Sequence, residues 1–189
     1  MISVVCPTVT GREGYLRDCE AAYARTTEDY EFIAVKDPGP CGVGWNIGAE
    51  KATGDYIHFT ADDLNPHDGW WEAAKEVIDR GQVPSPVVYW PDGRVQSCGG
   101  SWEALEEDGA VTEFTRVPIL SREMWDAVKP MLPIHYFTDN YVSFKTTKAG
   151  WPTVVCLACG FTHHMAQEGR VNTMGEDCEA YALAVAACQ

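Results

Sequence analysis

The sequence predicts an α/β fold: a single domain with a mostly parallel central sheet, helices on both faces and a small antiparallel hairpin in the second half. Strand and helix patterns alternate over residues 2–81, as they do in consecutive strand–helix–strand units. The chain has 189 residues and 46% of them are hydrophobic, which allows one well-packed core and leaves little room for another. We therefore expect one domain over residues 1–189.

The first half contains three predicted strands and three predicted helices. Short apolar runs bounded by turn residues predict buried strands at Ile2–Cys6, Tyr30–Val35 and Tyr56–Phe59. Apolar residues at helical spacing predict helices at about 13–25, near 46–53 and at Pro66–Arg80. The Gly-rich stretch Gly42–Gly48 leads into the second helix, and Gly54 is its expected C-cap. Right-handed crossovers would bring the carboxyl ends of the strands to one edge, where α/β proteins bind ligands.

The second half is less regular. Val87–Trp90 and Arg94–Ser97 flank the turn residues Pro91-Asp92-Gly93 and predict a hairpin, and Glu113–Leu120 is a candidate strand. Ser121 is expected to cap a helix near 122–129. Thr138 is expected to cap a further helix that Gly150 ends, and a strand is expected from Thr153 to Ala158. A tail follows over 166–189.

Charge and composition exclude several classes of protein. The net charge is −14 and no Lys/Arg cluster is present, so we expect no nucleic-acid partner. No apolar run reaches the roughly 20 residues of a membrane span. The N-terminal residues Met1–Val5 resemble a first strand rather than a signal peptide. Cys6 and Cys156 lie in apolar runs, as buried free thiols do, so we expect a reducing, cytoplasmic compartment.

Acidic residues follow two of the predicted strands. Asp62 and Asp63 come directly after the third strand and together offer the hard oxygen ligands that Mg²⁺ or Mn²⁺ prefers. Asp37 ends the second strand. The structural alternatives are acids that complement a helix N-terminus, for Asp62 and Asp63, and an ordinary turn aspartate, for Asp37. The glycines of Gly42–Gly48 do not have the dinucleotide-binding spacing.

A lone Cys-x-x-Cys motif, Cys156–Cys159, raises the alternative of a zinc site. Strand alternation would direct the two side chains to opposite faces, and no second cysteine pair accompanies them. We therefore do not expect zinc there.

Taken in order, the segments of the first half resemble the inverting glycosyltransferases of the A-type (GT-A) fold, family two. The similar segments are Ile2–Thr8, Tyr30–Asp37, Trp45–Gly48 with Ala52–Ile57, and Phe59–Pro66 with Gly69-Trp70. A looser likeness continues to about residue 165 through Val117–Trp125, Thr138–Tyr141 and Ala149–Trp151. The short chain is similar in size to phage-encoded members. The resemblance implies a nucleotide-binding half at about 1–85 and an acceptor-binding half at about 86–165.

The resemblance also implies a role for each matching residue. The nucleotide-sugar site would comprise Pro7, Thr8, Val9, Arg12, Asp37, Asn46 and Asp62. Asp63 and His163 would hold Mn²⁺ or Mg²⁺, and Asp139 would be the general base. The acceptor, a glycan or a protein, would meet Gly99, Gly100 and Trp102. A UDP-sugar is the favoured donor. His163 is preferred to His164 as the metal ligand because it matches the family pattern.

Physical chemistry agrees with these roles. One carboxylate suffices to deprotonate an attacking hydroxyl, and a divalent ion neutralises a departing diphosphate, so an acidic chain needs few lysines.

Three positions depart from the family pattern: Ala61 replaces the first acid of the metal loop, Lys36 replaces a second strand-end acid, and Thr138 replaces the acid before the base. Two alternatives stay open, namely an inactive nucleotide- or glycan-binding module and a sugar nucleotidyltransferase. The second has little support, because the loop after the first strand has one Gly and one Arg.

Overall fold

The computed structural model describes residues 1–165 and 173–188. In chain order the elements are β1 (Ile2–Thr8), α1 (Glu13–Thr26), β2 (Tyr30–Lys36), α2 (Cys41–Lys51), β3 (Tyr56–Phe59), β4 (Leu64–Pro66), α3 (Trp70–Asp79), β5 (Val83–Tyr89), β6 (Val95–Cys98), β7 (Ser101–Trp102), β8 (Ile119–Ser121), α4 (Arg122–Val128), α5 (Thr138–Lys148), β9 (Thr153–His163) and α6 (Met174–Ala187). Of the predicted tail, residues 173–188 contain α6, and residues 166–172 and 189 lie outside the described residues.

The first three strands pair in parallel within one sheet. They belong to a sheet with the order β2-β1-β3-β8, in which β1 runs parallel to β2 and β3, and β8 is antiparallel to β3. A second sheet has the order β4-β9-β5-β6-β7, and only β5 and β9 are parallel in it. The predicted α/β class is confirmed, with two mixed sheets. The predicted hairpin is confirmed as the antiparallel pair β5 and β6.

An aromatic cluster joins the two sheets. Trp70 at the start of α3 is fully buried, and its ring lies 5.6 Å from that of Tyr23 on α1 and 5.4 Å from that of Phe161 on β9. Its Nε1 donates to Thr27 Oγ1 at 3.0 Å, so the one polar atom of the side chain is satisfied. Large buried aromatic rings contribute much of the hydrophobic stabilisation of a domain this size. The cluster fixes β3 and β9 against each other, and both lead into the cavity described below.

The second helix begins earlier than predicted because its glycines lie inside it. A Cβ on Gly44 would come within 2.8 Å of Pro7 and Pro38, and one on Gly48 would collide with Val5. The helix therefore tolerates the weak helix propensity of glycine in return for close packing on β1. The prediction that Gly54 caps this helix is wrong. Ala52 is the C-cap, and Gly54 is needed because a Cβ there would come within 2.9 Å of the backbone of Met1 and Ser3.

Helix ends in the second half are predicted with mixed success. Ser121 caps α4 as predicted, its side chain accepting from Met124 N at 3.2 Å. Thr138 is the first residue of α5 and not its cap, because Phe137 takes the left-handed conformation there and the Thr138 hydroxyl donates to Ile134 O. Gly150 follows the helix with φ +98°, as a residue that ends a helix does.

The strand β9 extends beyond its predicted end and contains an irregularity. Cys156 pairs with Pro86 and Gly160 pairs with Val87, so three residues of β9 lie opposite no residue of β5. The expectation that Cys156 and Cys159 face opposite ways is wrong, since their thiols are hydrogen-bonded to each other, which lowers the pKa of Cys156.

Every helix in the described ranges has 14 residues or fewer, too few to span a lipid bilayer.

Candidate functional site

A cavity of about 780 Å³ opens at the carboxyl ends of β1, β2 and β3. Loops after these strands supply one wall, and the end of β9, the segment before α5 and the start of α6 supply the other. Its lining includes Pro7, Thr8, Val9, Arg12, Asp37, Cys41, Asp62, Asp63, His135, Tyr136, His163, Met165, Thr173, Glu176 and Asp177. Its volume suits a nucleotide-sized ligand, and its place is the one that parallel strands favour.

Two buried carboxylates lie at its floor. Asp62 is 1% exposed and Asp63 is 5% exposed. Arg12 from the loop after β1 reaches both, with NH2 at 2.5 Å from Asp62 Oδ1 and at 2.9 Å from Asp63 Oδ2. Thr8 also donates to Asp62 Oδ2 at 2.5 Å. Burial raises the pKa of Asp62, and the Thr8 hydroxyl and the Arg12 charge oppose that rise. One guanidinium thus faces two carboxylates in a site largely screened from water.

His163 completes this side of the cavity. Its Nε2 lies 3.6 Å from Asp63 Oδ2, while its Nδ1 lies 2.9 Å from Gln96 Oε1. His164 points elsewhere: it is exposed and its Nε2 contacts Asn65 Nδ2 at 3.0 Å. The strand alternation expected of two neighbouring histidines therefore places His163, and not His164, in the cavity.

Asp63 Oδ2 and His163 Nε2 are the two atoms here whose separation can be compared with that of two ligands of one divalent cation, and Arg12 NH2 lies 2.9 Å from the same Asp63 oxygen. Two atoms that bind one ion at about 2.1 Å, at 90–120° to each other, are about 3.0–3.6 Å apart, and the Asp63–His163 separation falls in that range. Among residues 1–165 and 173–188, no three His, Cys, Asp or Glu side chains converge as a complete metal shell. Mg²⁺ and Mn²⁺ sites commonly combine one or two protein ligands with phosphate oxygens and water.

Asp37 ties together two of the loops at the cavity mouth. It adopts φ +50°, and its carboxylate accepts from Thr10 N and from Thr10 Oγ1, each at 2.8 Å. Its own backbone N–H donates to Thr8 O at 2.8 Å. The bonds from Thr10 lower the pKa of Asp37, so the exposed carboxylate is an ionised acceptor. Each of its oxygens has a further lone pair for a ligand N–H.

Besides the three predicted acceptor residues, two sequence-predicted residues, Asn46 and Asp139, lie outside the cavity lining. Asn46 on α2 uses both ends of its amide on Met131, donating to its carbonyl at 3.0 Å and accepting from its N–H at 2.8 Å. Asp139, the second residue of α5, is half-buried and its Oδ1 accepts from Asn140 N at 2.9 Å. Burial raises the pKa of Asp139, and the charge of Arg116 opposes that rise. A carboxylate with a raised pKa is a stronger base than an exposed one.

Of the three predicted acceptor residues, Gly100 and Trp102 are exposed at β7 and the turn before it, whereas Gly99 in that turn is buried. Gly99 has φ +57°, which favours glycine, and Gly100 follows it into the turn. Trp102 is 59% exposed, and the Arg116 guanidinium lies 4.7 Å from its ring centroid. The positive charge of Arg116 also opposes the rise in the pKa of Asp139, so the same arginine interacts with both the exposed indole and that carboxylate.

Several cavity residues were not predicted. Asp177 at the start of α6 accepts from the N–H groups of His135 and Tyr136, at 3.1 and 2.9 Å, and from Thr173 Oγ1 at 2.7 Å. These bonds attach α6 to the far wall of the cavity. Thr173 followed three residues later by Glu176 is a pattern that indicates the start of a helix, but nothing in the sequence indicates where that helix docks. Gln96, which is 4% exposed beside His163, carries no sequence signal either.

No protein-family model matches the sequence, and no curated protein matches it either. Solved structures do match the fold, and they are glycosyltransferases of the GT-A-like class. TarS of S. aureus has a TM-score of 0.72 at 15% identity over 96% of this chain, and this chain spans 39% of TarS. A shorter form, TarS 1-349 in complex with UDP-GlcNAc, has a TM-score of 0.71 at 14% identity over 98% of this chain and 65% of its own.

A second similar fold is that of GalNAc-T7, crystallised with UDP, GalNAc and Mn²⁺. Its TM-score is 0.71 at 13% identity, over 89% of this chain and 44% of that chain. At these identities the likeness shows that this chain has the GT-A-like fold.

Proposed function

We propose that this chain is a glycosyltransferase that moves a sugar from a nucleoside diphosphate sugar to an acceptor hydroxyl, with inversion at the anomeric carbon. The observation that carries the proposal is the cavity at the strand ends, where Asp62, Asp63, Arg12 and His163 meet. It lies in a GT-A-like fold, and TarS and GalNAc-T7, which share that fold, were crystallised with UDP or a UDP-sugar. A UDP-sugar is therefore the proposed donor.

The donor site follows from the loops after β1, β2 and β3. Pro7, Thr8 and Val9 would flank the nucleoside, and Asp37 would accept a hydrogen bond from the base. Arg12 supplies a positive charge at the phosphate end, beside Asp62 and Asp63. Asn46 would act at a distance, by fixing the backbone of Met131 against α2.

Asp63 and His163 would hold Mn²⁺, or Mg²⁺, together with oxygens of the donor diphosphate. A nitrogen ligand favours Mn²⁺ over Mg²⁺, which prefers oxygen. When bound, the ion would neutralise the negative charge that builds up on the departing diphosphate. The crystals of GalNAc-T7 contained Mn²⁺, which supports this part of the proposal.

The reaction is a single displacement. Asp139 takes the proton of the acceptor hydroxyl while the oxygen forms its bond to the anomeric carbon. The bond from that carbon to the diphosphate breaks on the opposite face, and its electron pair leaves with the nucleoside diphosphate. Burial raises the pKa of Asp139 and strengthens it as a base, while the charge of Arg116 opposes that rise.

The acceptor would bind on the surface formed by Gly100 and Trp102, with Gly99 shaping the buried turn beneath it. The indole of Trp102 is exposed, and aromatic faces of this kind pack against sugar rings. A glycan, free or attached to a protein, is the proposed acceptor. We further propose a cytoplasmic location, since Cys6 and Cys156 are buried thiols that belong in a reducing compartment.

Release of nucleoside diphosphate from UDP-, GDP- and dTDP-sugars, with and without Mn²⁺, tests this proposal. Asp63→Asn removes one charge at nearly constant shape, and Asp18→Asn makes the same change on an exposed face of α1. We expect Mn²⁺-dependent release from one donor class, lost in Asp63→Asn and unchanged in Asp18→Asn. If the protein binds nucleotide but releases none from any donor, the inactive binding module is favoured. If release occurs and Asp63→Asn leaves it intact, catalysis takes place at another site.

A further inference from the structure

Gln96 on β6 is a buried polar residue that the mechanism above does not use. It is 4% exposed, and its amide lies between two residues at the end of β9. Its Oε1 is 2.9 Å from Nδ1 of His163, and its Nε2 is 3.6 Å from Sδ of Met165. A buried amide that faces an imidazole fixes which of the two ring nitrogens can hold the proton.

The orientation of this amide follows from its two neighbours. A thioether sulfur has no proton to donate, so the NH₂ group of Gln96 belongs on the side of Met165. The carbonyl oxygen then faces His163, and because it can only accept, Nδ1 of His163 must carry the proton. In the neutral ring this leaves a lone pair on Nε2.

That lone pair faces the cavity. Nε2 of His163 lies 3.6 Å from Oδ2 of Asp63, too far for a good hydrogen bond and a suitable distance for two ligands of one ion. The opposite tautomer would place N–H on Nε2 and remove the nitrogen as a ligand. Whether His163 can bind a metal ion through Nε2 therefore depends on the group that faces its Nδ1 atom.

We propose that Gln96 is a positioning residue that holds His163 in the Nδ1–H tautomer and directs Nε2 toward a divalent cation beside Asp63. The metal half of this inference rests on the proposed function, whereas the tautomer half stands on the contacts of Gln96 alone. Groups that orient a ligating histidine in this way typically change metal affinity 10–100-fold when they are removed.

Three variants separate positioning from simple packing. Gln96→Leu removes the acceptor at similar size, and Gln96→Glu retains an oxygen acceptor opposite Nδ1. Gln82→Leu, at the partly exposed residue before β5, is the matched control. With Mn²⁺ and UDP together as the probe, and protein-bound Mn²⁺ measured by electron paramagnetic resonance against a sample of Mn²⁺ and UDP without protein, we expect a 10–100-fold weaker affinity in Gln96→Leu. We expect wild-type or tighter affinity in Gln96→Glu and Gln82→Leu.

The tautomer is measured independently in metal-free protein by ¹⁵N NMR of the histidine ring at pH 8. We expect Nδ1–H in the wild type and in Gln96→Glu, and a mixture in Gln96→Leu. An Nε2–H ring in the wild type would overturn the proposal even if Gln96→Leu does not fold, and so would unchanged Mn²⁺ affinity in a folded Gln96→Leu. Wild-type protein that shows Nδ1–H but binds no Mn²⁺ in the presence of UDP would contradict the metal in the proposed function while supporting Gln96 as the group that sets the tautomer.

Discussion

Lowering the pH from 7 to 5 is expected to destabilise the protein by about 2 kcal/mol through one buried imidazole. His58 on β3 is fully buried, with the Tyr23 hydroxyl 2.6 Å from Nε2 and the Pro118 carbonyl oxygen 3.3 Å from Nδ1. Burial lowers the pKa of His58 from 6.5 to about 3, and the bond to Pro118 opposes that change. The unfolded chain thus takes up a proton below pH 6.5 that the folded chain takes up only near pH 3.

The stabilisation is complete above pH 6.5 and is lost progressively as the pH falls toward 3, at about 1.4 kcal/mol per pH unit. Between pH 7 and pH 5 this amounts to about 2 kcal/mol. Urea unfolding at both pH values measures it, and His58→Gln is the control, because carboxylates elsewhere titrate equally in both proteins. The free energy of unfolding should fall about 2 kcal/mol further in the wild type than in His58→Gln. Equal pH dependence in the two proteins would refute the reasoning.

Three substitutions test other parts of the account. Asp139→Asn should lower kcat by about 10²–10⁴-fold with Mn²⁺-dependent UDP binding unchanged, as measured by steady-state kinetics and calorimetry, and a variant with wild-type kcat would exclude Asp139 as the base. Ser121→Ala removes the cap of α4 and should reduce the free energy of unfolding in urea by about 1 kcal/mol, whereas no change would mean that the cap is replaced by water. Gly48→Ala forces a methyl group into Val5 and should destabilise the protein by about 1–3 kcal/mol, as measured by thermal unfolding. In the control, Gly14→Ala, the added methyl group meets only the end of a flexible side chain, so this variant should be slightly more stable than the wild type. Equal effects of the two substitutions would contradict the packing argument.

The sequence predicts the first half of the fold well because its elements are set by local patterns. The run Tyr56–Phe59 and the helical spacing of α1 predict their elements almost to the residue. The start of α2 could not be predicted, since Gly42 and Gly44 disfavour a helix locally and only their close packing reveals why they are there. In β9 an irregular register brings Cys156 and Cys159 together against the two-residue period that strand prediction assumes.

The candidate site shows the same division between local and long-range information. Asp37, Asp62 and Asp63 could be found because each follows a strand, and parallel strands end at one edge. Gln96 and Asp177 could not, because their partners lie 67 residues away at His163 and about 40 residues away on the segment before α5. Contacts of that kind depend on how the two sheets and α6 pack, which no local pattern encodes.

A crystal structure of the protein with UDP and Mn²⁺, with anomalous data collected for manganese, tests the central claim most directly. The account predicts the uracil ring beside Asp37, the diphosphate near Arg12, and a manganese peak within about 2.2 Å of Asp63 Oδ2 and His163 Nε2. Nucleotide bound outside the cavity, or a manganese ion that neither Asp63 nor His163 touches, would contradict it.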